Sequence, residues 1–430
     1  MAAREAQKYL NLLRSEAQNH YRTQDSIYKE KTAGQSALNK LDDFLTIKVI
    51  KWIFHYIKSR FGGKHKFKNY SGSNNGVFKM ISVNSGSSDE IKITVASDWA
   101  TDTIESDLIG ERMNNEKADY TIQLGDTYYV GTPKEMECNY LIPGNSWPRG
   151  KSGTLSLPGN HDFYSNGDGF FEKLLPKMFV KIPGGEITQE ASFFCLENDY
   201  WRILGLDTGY HSVGLPLIEF IFKPDAHLDT VIVDWMKNAV KLGSGDDKRG
   251  LILLTHHQYY SAFEDEYPEP AIKLAEFIGK KRPVIWIWGH EHRFSVYGCL
   301  QMKDGITAFG RCIGHGGMPI EIIHEKELSK LKKDRKLVLF DNRYKSRLGK
   351  TDIGHNGYSN LLFNRDNLTI EYFDENKKIL SEEWKIDLKT GLLSGKKIND
   401  FTDGSYPSTL ESGRDKLFHF CKNMEEAIRE

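Results

Sequence analysis

The sequence predicts an α/β protein, and two observations carry that reading. Through the middle of the 430-residue chain, apolar runs of five to seven residues alternate with helical patterns, as successive βα units do. After about residue 335, segments alternate apolar and polar positions, the pattern of half-exposed antiparallel strands.

Taken in order, residues 1 to about 62 read as helical, with Leu10, Leu12, Leu13, Leu38, Leu41 and Leu45 at helical spacing. Residues 45–61, LTIKVIKWIFHYIKSRF, are denser in apolar side chains, and Lys48 to Lys68 holds seven Lys/Arg and no acid. SGSNNG at 71–76 reads as a loop or linker. The strand-like runs IKITVAS, DYTIQLG, GTLSLPG, YWRILGLD, LILLTH and VIWIWGH follow, with an amphipathic helix expected over 226–242. KLVLF, SNLLFNR, LTIEYFD and ILSEEWKI supply the later strands, and Leu417, Phe420, Cys421, Met424 and Ile428 share one face of a terminal helix. The expected division is a helical extension and linker over 1–70, a main domain over 71–400 and a helical tail over 401–430.

Composition excludes more than it assigns. The 58 Lys+Arg and 59 Asp+Glu leave a net charge of -1, so nothing points to specific nucleic-acid binding. Five cysteines, Cys138, Cys195, Cys299, Cys312 and Cys421, form no C-x-x-C pair, which argues against a zinc ribbon or a thioredoxin-like site. MAAREAQKYLNLL lacks the apolar core of a signal peptide, and no apolar run is long enough to span a bilayer. A cytoplasmic protein is the expectation.

The chemistry sits just after the strands. IKITVAS is followed by Asp98, YTIQLG by Asp126, LSLPG by Asn160-His161-Asp162, LILLT by His256-His257, and VIWIW by Gly289-His290-Glu291-His292. Open α/β sheets bind ligands beyond the carboxyl ends of their strands. Two Asp, one Asn and several His therefore gather at one rim, a donor set that suits Zn, Fe or Mn. A shared carboxylate bridges two such ions in phosphoryl-displacing sites.

In this order the pieces D…GD…GNHD…H…GHxH resemble the signature of the calcineurin-like metallophosphoesterases, over roughly residues 90–315. Many members carry D-x-H at the first motif. Here Asp98-Trp99-Ala100 lacks that histidine. The purple acid phosphatase branch has D-W-G there and takes the ligand from a tyrosine three residues after the bridging aspartate, where this chain has Tyr129. The resemblance implies a four-layer α/β sandwich of two mixed sheets flanked by helices. It also implies a first metal on Asp98, Asp126, Tyr129 and His292, and a second on Asp126, Asn160, His256 and His290. Fe(III) is favoured at the first site with Fe, Zn or Mn at the second, and a Mn–Mn pair is the other option. His161 is expected to hydrogen-bond the phosphate or protonate the leaving oxygen, with Asp162 orienting it.

The implied activity is hydrolysis of phosphate esters, phosphomonoesters favoured, by a metal-bound hydroxide. Two rivals stand: a phosphodiesterase acting on nucleotides or cyclic nucleotides, and a metal-binding scaffold that meets a partner or a membrane surface through its N-terminal helical segment. Local alternatives stay open too. His257 competes with His256, since Gln258 replaces the proline usual after that motif, and Tyr128 competes with Tyr129. His315, in a Gly-rich loop after the last motif, is a further candidate for lining the site, and His211 and His355 read as packing or surface residues. The 45–68 segment docks on the domain, lies on an anionic membrane surface, or binds a protein. The basic stretch 330–349 reads as a solvated face or as help in binding a phosphate-rich substrate.

Overall fold

Alternation along the central strands decides the architecture. In Val284–Trp288, Ile285 and Ile287 enter one apolar cluster while Trp286 and Trp288 enter another. In Gly250–Thr255, Ile252 and Leu254 take the first cluster and Leu253 the second. A strand buried on both faces needs a layer on each side. The computed structural model describes residues 63–399 apart from 84, 100–102, 128–129, 142–146, 214–225 and 349–350. The helices expected over 1–62 and 410–430 lie outside the described residues, as does most of the basic segment 45–68.

Two mixed sheets face each other. In the eight-stranded sheet, Trp201–Gly205, Gly250–Thr255, Val284–Trp288 and Thr307–Ile313 run parallel side by side. The nine-stranded sheet has Glu90–Ala96, Tyr120–Leu124 and Gly153–Leu157 parallel at its centre. Ile93, Ile122 and Leu155 from this sheet meet Ile203, Ile252 and Ile285 from the other, forming the core between the layers. Helices Thr230–Asn238 and Glu269–Ile278 cover the outer face of the eight-stranded sheet through Ile232, Trp235 and Leu274. Helix Ile104–Asn115 covers the other outer face through Ile109 and Met113, its start fixed by a capping box at Thr103. This is the four-layer sandwich expected from the motifs.

The alternating segments late in the chain form an antiparallel extension. Gly357–Asn364 pairs with Glu90–Ala96, and Asn367–Asp374, Lys378–Asp387 and Leu392–Asn399 follow outward. One polar link crosses the core: buried Arg311 donates to both oxygens of Glu382 on the facing sheet at 2.7 Å.

Residues 63–76, read as the end of a linker, are tied to the domain. The Lys64 ammonium donates to the Tyr210 carbonyl and the Tyr210 hydroxyl to the His65 carbonyl (2.5 and 2.8 Å). Lys68 donates to the Phe171 carbonyl at 2.8 Å, and the Asn74 amide to the Thr188 carbonyl at 3.0 Å. Among the described residues, no helix is long and apolar enough to cross a membrane.

Candidate metal centre

Three of the five motifs turn sharply as they leave their strands. Asp98, Asp126 and His290 have positive φ angles of 55°, 54° and 65°. Side-chain-bearing residues hold such angles only where the surroundings fix them, and they cluster at functional sites. The loops also approach too closely for side chains. A Cβ on Gly125, whose φ is 102°, would lie 2.6 Å from both the Gly159 nitrogen and His256 Nδ1, and one on Gly159 would lie 2.1 Å from Asp126 Oδ1.

The turns bring the expected residues together. His256 Nε2 lies 3.2 Å from Asp126 Oδ2, 3.1 Å from Asn160 Oδ1 and 3.3 Å from His290 Nδ1. His290 Nδ1 lies 3.0 Å from Asn160 Oδ1. His256 Nδ1 sits 2.9 Å from the Leu124 carbonyl, which fixes the neutral ring with its lone pair on Nε2. Beside this group, Asp98 Oδ2 accepts the His290 N–H at 2.8 Å, and His292 Nε2 lies 3.6 Å from Asp98 Oδ1. Asp98 Oδ1 is buried without a hydrogen-bond partner. Facing lone pairs and an orphaned buried carboxylate oxygen would offer a cation a mixed set of nitrogen and oxygen donors. The donor set fits the two metals that the motifs imply.

The charges agree. Burial opposes the Asp126 charge, but His256, His161 and His290 outweigh it and hold that carboxyl well below the usual range. Burial, then the charge of Asp126, pushes Asp98 up to about 7, against the pull of His256. His256 is pushed up to about 9: burial opposes its charge, and Asp126 and Asp98 outweigh burial. A proton on His256 thus serves the cluster where a cation would. Burial pushes His290 down to about 3, with the charge of His256 adding to it, and pushes His292 to about 3 as well. Both are kept neutral, the form that ligates metals.

Of the adjacent histidines, His256 faces Asp126 and Asn160. His257 is buried behind it, its N–H donating to Thr208 Oγ1 at 3.0 Å and its ring 4.5 Å from that of His290. His161 is buried, with Nε2 3.9 Å from Asp126 Oδ2 and its own N–H donating to Asp126 Oδ1 at 2.8 Å. Asp162, expected to orient His161, accepts three bonds from the surrounding loops: from the Thr127 hydroxyl (2.6 Å), the Gly159 N–H (2.8 Å) and the Asp126 N–H (3.1 Å). His315 is buried, stacked on Phe294 and packed against Gly357. His211 pairs with Asp229 and His355 with Glu375. Tyr129, its competitor Tyr128, and Ala100 lie outside the described residues.

Sequence reading missed Tyr164 and Thr208. The Asn160 amide nitrogen donates to the Tyr164 hydroxyl at 3.1 Å. Tyr164 follows Asn160 by four residues across a single 3₁₀ turn, a spacing that puts two side chains on one face and could have flagged it.

Fold and site together define a class: a four-layer α/β protein whose two sheets meet at a cluster of histidine, carboxylate and amide donors. Residues 91–294 match the family model described as calcineurin-like phosphoesterase, the family whose motifs this sequence resembles. Among solved structures, the purple acid phosphatase PPD1 of yellow lupin (Lupinus luteus) is similar at 13% identity and a TM-score of 0.39, covering 66% of this chain and 52% of its own. The match thus spans about half the length of the lupin protein. A structure of PhoD is similar at 12% identity and 0.46, covering 73% of each chain. A dimetal phosphatase from Danio rerio is similar at 10% identity and 0.38, covering 68% of this chain and 98% of its own. No curated protein matches the sequence.

Proposed function

We propose that the protein is a dinuclear-metal hydrolase of phosphate esters, with phosphomonoesters as its favoured substrates. The observation that carries this reading is the convergence of Asp126 Oδ2, Asn160 Oδ1, His256 Nε2 and His290 Nδ1 within 3.0–3.3 Å contacts, beside the unpartnered Asp98 Oδ1. Asp98, Asp126 and His292 would hold the first cation, with Tyr129 as the fourth ligand on sequence grounds. Asp126, Asn160, His256 and His290 would hold the second. Bound there, the cations supply Lewis acidity and an activated water.

The chain itself contributes placement and a proton. His161 lies beside Asp126 and from there would donate to a phosphoryl oxygen or to the departing ester oxygen. Its backbone bond to Asp126 fixes that place relative to the metals. Asp162 clamps the loops that carry Asp126 and Asn160, so the two donors keep their spacing. Burial of the cluster keeps bulk water from screening these charges.

The test is metal analysis of the purified chain with side-by-side assays on an aryl phosphate and a bis-aryl phosphate. Two metal equivalents and faster monoester turnover support the reading. Asp126→Asn removes the shared charge and is expected to lower kcat/KM about a thousandfold, equivalent to about 4 kcal/mol. Unchanged metal content and rate in that variant would refute the site. The choice of Fe(III) has its own readout: a phenolate on Fe(III) gives a visible charge-transfer band, which Tyr129→Phe should abolish. Active but colourless and iron-free protein would remove iron and Tyr129 from the reading.

A further inference from the structure

We propose that His65, Asp168 and Glu172 form a Zn²⁺ site, separate from the candidate metal centre, that clamps the segment entering the domain onto the turn after the asparagine motif.

One ligand atom from each of these three residues lies within 4.8 Å of the other two. None of the three belongs to the motifs that follow the strands. His65 comes from the stretch that enters the domain, and Glu172 from the helical turn Gly169–Leu174, with Asp168 just before it. The imidazole is held in a ligating posture. Its Nδ1 lies 2.8 Å from the Lys66 carbonyl, an oxygen that only accepts, so Nδ1 carries a proton and Nε2 is the nitrogen open to a metal. This holds for either charge of the ring: a metal takes the Nε2 lone pair of the neutral form or displaces the Nε2 proton of the charged one. Stacking on Phe171, with centroids 4.7 Å apart and planes at 14°, fixes the direction of the ring. The His65 N–H donates to the Asn166 carbonyl at 2.9 Å, which anchors the backbone to the same region.

The carboxylates face this ring without hydrogen-bonding to it. Glu172 Oε1 stands 3.9 Å from His65 Nε2, beyond a hydrogen bond. Zinc holds nitrogen at about 2.0–2.1 Å and carboxylate oxygen at about 2.0–2.2 Å, so atoms up to about 4 Å apart can share one ion. Asp168 occupies the cap position of its helical turn yet makes no capping bond. Its carboxylate lies instead with Glu172, four residues on, a spacing at which like charges repel. A divalent cation between the two removes that repulsion and takes the imidazole as its third ligand, with water in the fourth position. The Glu172 side chain is 56% exposed, so an ion enters from solvent and the carboxylate is free to close on it. The clamp follows from position: the ion would tie residue 65 to the turn that follows Asn160-His161-Asp162, adding to the His65–Asn166 bond.

The inference does not depend on the dinuclear reading. The metal-free full chain is titrated with Zn²⁺ by calorimetry as four proteins: wild type, His65→Gln, Asp126→Asn and the double variant. His65→Gln is expected to lose one Zn²⁺ equivalent, or to bind it at least about tenfold more weakly, in both backgrounds; removing a ligand costs at least as much as removing a group that orients one. Phosphatase activity and circular dichroism of His65→Gln should match wild type. Glu172→Gln should lose the same equivalent, which separates ligation from the stacking of His65 on Phe171. Hydrogen exchange reports the clamp. With Zn²⁺ at ten times its Kd, amides of the 63–70 stretch should exchange about tenfold more slowly in Asp126→Asn and show no Zn²⁺ effect in the double variant. Equal Zn²⁺ uptake with and without His65, or with and without Glu172, overturns the site. Exchange that ignores Zn²⁺ while one equivalent is lost overturns the clamp. Because each comparison is made within one background, failure of the dinuclear centre to load leaves the test of this site intact.

Discussion

Asp207→Asn should stabilise the protein, and by an amount that grows with pH. Asp207 follows the strand Trp201–Gly205 and is buried. Its Oδ1 accepts the N–H groups of Gly209 and Tyr210, both at 2.8 Å, and so shapes the turn that carries Thr208. Thr208 in turn holds His257, and a Cβ on Gly209 would lie 2.6 Å from the Pro158 carbonyl, so the turn packs against the asparagine motif. Burial pushes the Asp207 carboxyl up from 3.8 to about 7, and the Ser192 hydroxyl, the two N–H groups and Lys64 only partly oppose it. The folded chain therefore binds this proton more tightly than the unfolded chain. The stability this group contributes is complete below pH 3.8 and is lost as pH rises through about 7. The full effect is about 4 kcal/mol, of which about 3 falls between pH 4 and pH 7. Asparagine keeps the accepting oxygen and carries no charge. Urea unfolding of wild type and variant at matched metal concentration should show near-equal stability at pH 4 and a variant more stable by about 3 kcal/mol at pH 7. A difference that stays constant across that range would refute the reasoning.

Two further changes probe the site and the core. Gly159→Ala puts a methyl 2.1 Å from Asp126 Oδ1 and 2.6 Å from the Asp126 nitrogen. It should lower stability by about 1–3 kcal/mol and reduce metal uptake while leaving the circular dichroism of the fold intact; normal metal stoichiometry would show that the loops can part. Arg311→Met strands the buried Glu382 carboxylate with only the Tyr372 hydroxyl, which donates to it at 2.6 Å. Denaturant unfolding should show a loss of about 3–5 kcal/mol, largely recovered by adding Glu382→Gln.

The strand order could not be read from the sequence, but the strand ends could. Each parallel strand is an apolar run closed by a polar residue that no core would keep, and Asp98, Asp126, Asn160, His256 and His290 are all of this kind. Adjacent histidines are harder. At a strand end, His256 and His257 point in different directions, and which one faces Asp126 depends on the reach from its ring to the Leu124 carbonyl on the other sheet. Asp162 shows the opposite difficulty. A carboxylate beside a histidine suggests an imidazole partner, but its backbone places it within reach of the Asp126 and Gly159 N–H groups. Arg311 and Glu382 are separated by 71 residues, and only the packing of one sheet on the other makes them a pair.

The arrangement explains why the centre lies where the two sheets meet. Asp98, Asp126 and Asn160 all leave the nine-stranded sheet, whereas His256, His290 and His292 leave the eight-stranded one. The carboxylate and amide donors belong to one layer and the imidazoles to the other. Cross-layer bonds hold them before any cation arrives: His256 Nδ1 to the Leu124 carbonyl, and the His290 N–H to Asp98. A cation bound here would add a link between layers that share an apolar core and polar contacts such as the Arg311–Glu382 pair. Metal binding would then be coupled to the docking of the sheets, since a ligand that binds only the folded form stabilises it in proportion to the logarithm of its concentration over Kd. Chelation should therefore lower the unfolding midpoint of wild type more than that of Asp126→Asn. An equal shift in the two would separate the metal site from the sheet interface.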